Sequence, residues 1–397
     1  MELIQLKNNE SKNKTITNYN QQFQEVIKNQ KIIKYHIIIL FTLIIILIIY
    51  LYLDTKKNLN TKIKCKLLNT LENNSKYNNE IHKYIEINNN ILNSYIEKQN
   101  DFCINPEKYY NKEIEDSIKL CPVILNNIKY NMFIYKGLDV VSKTIVYDKY
   151  FEPTETNNIY LALKYYGKKN KITNNKDIFM LDIGGNIGWY PIFMGRFGYS
   201  IITFEPFERN YYVLRKNYCY LLKDLNINIT DSNIIIINKG LSNEEKKCDY
   251  YRDVDNIGNG MVLCDEVKND EIKKEFSKVG EIFLTKLSNF MPFLSLRNLA
   301  LIKIDVEGME GKVIEGGIEL IKRFHIPFIL VEFTPRALIE HGTDPKKFLK
   351  IFLDNGYKMK TRGFFSEINV SINKIVDNVK ELVNIYLVYD NYEKKNK

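Results

Sequence analysis

Glycines and carboxylates recur in this chain at spacings that suit ligand chemistry. The first group is Asp182-x-Gly184-x-Asn186-x-Gly188, within Leu181-Asp-Ile-Gly-Gly-Asn-Ile-Gly-Trp-Tyr190. Glu205 follows 23 residues after Asp182, in Ile201-Ile-Thr-Phe-Glu-Pro206. Asp305, Glu307 and Glu310 end the segment Leu299-Ala-Leu-Ile-Lys-Ile-Asp-Val-Glu-Gly-Met-Glu, and Glu332 ends Phe328-Ile-Leu-Val-Glu. Glycine lets the backbone approach a ligand closely, and a helix opening after the turn presents unpaired N–H groups. An acid at the end of the second strand can accept hydrogen bonds from both hydroxyls of a ribose. A carboxylate near an acceptor hydroxyl can take its proton or orient it.

Each group closes an apolar run, and glycine or proline and then a helical pattern follow, so each reads as a strand–turn–helix unit. Strands alternating with helices from Ile178 onward predict a mainly parallel sheet with helices on both faces. In such sheets ligands sit outside the carboxyl ends of the strands, where these residues fall. A dinucleotide site needs Gly-x-Gly-x-x-Gly, and that pattern fails at Asn186 and Trp189. An acid at the strand tip repels a pyrophosphate but suits the cationic amino-acid end of S-adenosylmethionine. The plainer alternatives are turn chemistry for Gly184 and Gly188, and helix capping for Glu205, Glu307 and Glu310. Clustered carboxylates also suit a divalent cation, a reading ranked below metal-free chemistry. Phe204, Trp189, Tyr190 and Phe207 read as core aromatics.

Taken in order, these motifs resemble the FkbM family of S-adenosylmethionine-dependent methyltransferases. The matching residues are 181–190, Phe204-Glu-Pro, Lys303-Ile-Asp-Val-Glu-Gly-Met-Glu and Val331-Glu-Phe, with Leu138-Asp-Val-Val-Ser and Phe151-Glu-Pro as lead-in. The resemblance covers roughly 130–360. It implies a Rossmann-like class I methyltransferase fold, with a mostly parallel seven-stranded sheet and helices on both faces. It implies S-adenosylmethionine as cofactor, bound by Asp182, Gly184, Asn186, Gly188 and Glu205. Asp305, Glu307 and Glu332 become the catalytic candidates. The implied reaction is O-methylation of a hydroxyl on a glycan, lipid-linked or other small-molecule acceptor. Two departures stand out: Gly185 replaces the usual alanine, and Ser288 stands where an Asp is expected. The competing readings are a catalytically silent scaffold that keeps the fold, supported by Ser288, and an NAD-dependent sugar-modifying oxidoreductase.

The 397 residues are 45% hydrophobic and 26% charged, as in a folded protein. The net charge of +9 reflects a lysine excess without an arginine-rich patch, so no nucleic-acid partner is expected. Six cysteines lack a Cys-x-x-Cys pair and read mainly as free thiols. The four histidines are scattered, so no metal site is expected.

Residues 1–34 form a polar tail. Residues 35–53 are an almost unbroken apolar run, long enough for a transmembrane helix of about 30 Å. Residues 54–100 read as a helical stalk, and 101–397 as the catalytic domain. The lysines at 56–66 favour a single-pass anchor with a cytosolic catalytic domain, a lumenal orientation being the alternative.

Overall fold

The computed structural model describes residues 92–393, apart from 138, 254–259, 265–275, 295–296 and 380. All of them fall in the unit Lys76–Lys397. The predicted tail, the apolar run 35–53 and the stalk up to residue 91 lie outside the described residues.

The main sheet contains β3 (Ile178–Ile183), β4 (Ser200–Phe204), β5 (Ile234–Ile237), β10 (Asn298–Ile304), β11 (Phe328–Phe333), β12 (Tyr357–Lys360) and β13 (Val383–Tyr389). Its order is β12-β13-β11-β10-β3-β4-β5. The five strands from β11 to β5 pair parallel, whereas β13 is antiparallel to both β11 and β12. The motifs lead to a mostly parallel seven-stranded sheet, but among the described residues that sheet is mixed and two smaller sheets accompany it. A hairpin, β1 (Ile118–Leu125) with β2 (Ile128–Tyr135), precedes the main sheet. Its turn residues Asn126 and Asn127 both take positive φ, 51° and 64°, as a two-residue hairpin turn requires. A third sheet, in the order β6-β9-β7-β8, comprises β6 (Gly240–Ser242), β7 (Lys246–Asp253), β8 (Gly260–Leu263) and β9 (Phe276–Lys286). It lies in the chain between β5 and β10 and is antiparallel except for the parallel pair β6–β9.

Both faces of the main sheet are covered, which explains why its strands read as continuous apolar runs. Successive side chains on a strand point to opposite faces. Accordingly Met180, Ile201, Leu301 and Phe328 join one core, while their neighbours Leu181, Ile202, Ile302 and Ile329 join the other. The first core also takes up α2 (Pro153–Asn170), α3 (Trp189–Gly195) and α4 (Glu208–Asp224). The second takes up α5 (Glu310–Gly316) and α6 (Pro345–Asp354). Asp344 caps α6 by accepting from the N–H groups of Lys346 and Lys347.

Residues 92–104 form a helix, α1, on the far edge of this sheet. The buried Gln99 amide donates to the carbonyl of Ile234 (3.0 Å) and accepts from the N–H of Ile236 (2.9 Å). Edge strand β5 therefore has a side-chain partner where no eighth strand pairs with it.

Two expectations are corrected. The thiols are not mainly free: Cys103 is bonded to Cys219 and Cys248 to Cys264, leaving buried Cys121 free among the described residues. The geometry favours both bonds. α1 packs on α4, bringing those Cα atoms to 5.4 Å, and the β7–β8 pairing brings the second pair to 4.3 Å. The single-pass membrane localisation is also overturned for the described part of the chain. No helix among the described residues is long and apolar enough to cross a membrane. The longest, α2, has 18 residues, carries Glu155, Lys168 and Lys169, and packs its apolar face on the sheet.

Candidate active site

The site begins as a buried polar row across three neighbouring strands. The register sets Lys303 of β10 beside Asp182 of β3, and Asp182 beside Thr203 of β4. In parallel register these side chains share a face. The Thr203 hydroxyl donates to Asp182 Oδ2 at 2.8 Å. Asp182 Oδ1 is buried and accepts no hydrogen bond, and its nearest cation is the Lys303 ammonium at 3.9 Å. Burial raises Asp182 to about 6, against the lowering pull of Lys303 and Thr203.

Beyond the row, the strands end in two turns. In the first, the N–H groups of Gly184 and Gly185 both donate to the carbonyl of Phe204. Gly184 has φ +89°, and a Cβ there would lie 1.8 Å from the Asp305 carbonyl oxygen. Only glycine meets both demands. Asn186 also takes positive φ and spends its side-chain oxygen on the N–H of Ile187, so its observed role is to shape the turn. Gly188, at φ +98°, caps α3. Glu205 is 3% exposed. Its two carboxylate oxygens each accept one backbone N–H, from Asn186 (2.7 Å) and Phe207 (2.9 Å). Burial raises it to about 7, although both hydrogen bonds pull the other way. The carboxylate is thereby fixed in orientation and keeps acceptor capacity for hydroxyls.

The second turn follows β10. Asp305, partly exposed, accepts from the Lys303 ammonium at 2.9 Å. Glu307 takes the left-handed conformation at φ 54°, an unusual state for a glutamate. Glu310 is 1% exposed, and its Oε1 accepts from the N–H groups of Val306 (3.0 Å) and Gly308 (3.2 Å). Its Oε2 is buried without a hydrogen bond. Glu310 therefore caps this turn, and burial raises it to about 7. Glu307 and Glu332, at the tip of β11, are both held above the ordinary carboxylate range by desolvation and then by the charges of Asp305 and their neighbours. Glu307 keeps solvent exposure at the mouth of this cluster. Among the described residues, no three His, Cys, Asp or Glu side chains are placed to hold one metal ion.

The structure adds two residues that the motifs did not single out. Lys303 reads in sequence as one more lysine in a lysine-rich chain, yet it is 5% exposed and central. Glu152, quoted within Phe151-Glu-Pro but given no role, accepts a short hydrogen bond from the Tyr190 hydroxyl. Its interactions with Lys303 and Asp305 place it among the same charges. The pairing of an acid with a following proline, as in Phe204-Glu-Pro, was the available signal. Ser288 lies in the short helical turn Leu287–Phe290, between β9 and β10.

The methyltransferase FkbM domain matches residues 182–359. No curated protein matches the chain. Among solved structures, the chain is similar to methyltransferase FkbM from Methylobacillus flagellatus KT, at 16% identity and TM-score 0.31, over 52% of this chain and 42% of that one. It is also similar to a protein of the NADB-Rossmann superfamily from Streptococcus agalactiae, at 13% identity and TM-score 0.28, over 59% and 69% of the two chains. A third is magnesium protoporphyrin IX methyltransferase from Synechocystis PCC 6803 with bound SAM, at 11% identity and TM-score 0.31, over 63% and 84%.

Proposed function

Because residues 182–359 are an FkbM methyltransferase domain, we propose that the chain transfers a methyl group from S-adenosylmethionine to a hydroxyl oxygen of a glycan, lipid-linked or other small-molecule acceptor. The observation that carries this reading is the convergence of two turns. One holds an oriented carboxylate, Glu205, over a glycine cradle, and the other presents Asp305, Glu307 and Glu332. The first turn fits a nucleoside without phosphates. Glu205 retains acceptor capacity for ribose hydroxyls, and buried Asp182 disfavours a pyrophosphate.

When bound, S-adenosylmethionine supplies an electrophilic methyl group. Glu205 would hold the ribose, beside the turn 184–188. Asp305, with Glu307 and Glu332, orients the acceptor hydroxyl and receives its proton. A carboxylate held above its ordinary range is a stronger base once ionised, and that suits Glu307 to proton removal.

Calorimetry with S-adenosylmethionine, its demethylated product and NAD tests the donor assignment. Preference for NAD, or no binding to any of the three, overturns it. Mass spectrometry of candidate hydroxyl acceptors then tests the reaction, since gain of one methyl on oxygen is required.

A further inference from the structure

A lysine inside the central strand of a doubly covered sheet is costly, because its ammonium leaves water for an apolar core. Lys303 occupies such a place, and β10 could hold its position in the sheet with Met or Leu there. Its partners lie on both turns. The ammonium donates to Asp305 Oδ2 (2.9 Å) on one and to the carbonyl of Gly184 (3.2 Å) on the other. Asp182 Oδ1 is 3.9 Å away, and the Tyr190 ring centroid 5.0 Å. The turns also touch directly, since no side chain fits between Gly184 and the Asp305 carbonyl.

The groups facing this ammonium are almost all acids. Asp182 comes from β3, Glu205 from β4, Asp305 and Glu307 from the turn after β10, Glu332 from β11, and Glu152 from the start of α2. Glu310 is linked to the set through Asp305, and the Tyr190 hydroxyl through Glu152. Lys303 is the buried cation among them. Burial alone would lower it, but Asp305, Asp182 and Glu152 more than reverse that, so it stays charged.

We infer that Lys303 is a positioning residue: its ammonium tethers the Gly184 turn to the Asp305 turn and holds the Asp182 and Asp305 carboxylates in place. It acts through these two carboxylates and touches neither donor nor acceptor. What the two turns bind rests on the methyltransferase reading; the tether itself does not.

The test uses Lys303→Met, which keeps the side-chain length and removes the charge. In donor-free protein carrying 13C-labelled aspartate, the carboxyl titration of Asp182 should move upward by about one pH unit or more. Affinity for S-adenosylmethionine should fall by about tenfold or more at pH 7. Should Lys303→Met fold poorly, the double variant Lys303→Met/Asp182→Asn keeps the proposal open to refutation. It removes the stranded acid with its counter-ion and should recover most of the lost thermal midpoint, a non-additive result. An unmoved Asp182 titration in a folded Lys303→Met, or strictly additive losses in the double variant, overturn the inference. Wild-type protein that binds no S-adenosylmethionine sinks the donor assignment alone, because the titration and the double variant still decide the role of Lys303.

Discussion

At the tips of β3 and β4 Asp182 and Glu205 meet donors, while at the tips of β10 and β11 Glu307 and Glu332 meet other acids. Glu205 accepts two backbone N–H groups, and Asp182 accepts a threonine hydroxyl. Glu332 is desolvated next to Asp305 and Glu307, and Glu310, like Asp182, leaves one buried oxygen unpaired. Strand-tip acids thus do two kinds of work in one sheet. The first pair is preorganised, with its orientation fixed before any ligand arrives. The second group holds unfavourable charge contacts, which a proton, a hydroxyl or a cation can relieve.

The most severe break in this comparison is Gly184→Ala. A methyl group there meets backbone at 1.8 Å and sits at a φ that alanine avoids. The expected loss is about 4 kcal/mol or more, read as a lowered thermal midpoint or insoluble protein. A near-native midpoint would show that the first turn is not locked.

Glu205→Ala should weaken S-adenosylmethionine binding by about 1–3 kcal/mol in calorimetry, because ligand hydroxyls lose a charged partner. Equal affinity with an intact circular dichroism spectrum would remove Glu205 from the donor site.

The second region should show itself in pH dependence. A carboxyl raised in the folded state contributes stability that is fully present below its unfolded pKa and is lost as pH rises through its folded value. For Glu310 that window runs from about 4.5 to about 7, so the ligand-free protein should lose stability across it. Glu332 adds to the same slope, being displaced in the same direction. Glu332→Gln should therefore raise stability by about 1–2 kcal/mol at pH 8 and change little at pH 4. An equal effect at both pH values would mean that the acids at β10 and β11 do not repel.

Gln99→Ala is the control outside both regions. It should cost about 1 kcal/mol for the lost pair of hydrogen bonds, with donor affinity and the pH slope unchanged.

The strand tips were legible because each combines an apolar run with an acid and a glycine or proline, a pattern fixed by local geometry. The residues expected on the donor side, Asp182, Gly184, Asn186, Gly188 and Glu205, all fall at or just beyond these tips, as do Asp305, Glu307 and Glu332. What sequence hid was set by pairing across the fold. Lys303 acquires meaning only from the register that sets it beside Asp182. Gln99 meets β5 across 135 residues of chain, and Cys103 meets Cys219 across 116. No local spacing encodes such meetings. The insertion of antiparallel β13 between β11 and β12 likewise depends on the chain's return path.

The Gln99 amide has a consequence for self-association. β5 is Ile-Ile-Ile-Ile, an apolar edge of the kind that templates strand addition from another molecule. Gln99 blocks that edge by offering its amide as a one-residue imitation of a neighbouring strand. A fragment beginning at residue 101 retains every strand-tip carboxylate but lacks this block. Its defect should appear as concentration-dependent turbidity rather than as lost ligand affinity, and starting the fragment at residue 90 should abolish it.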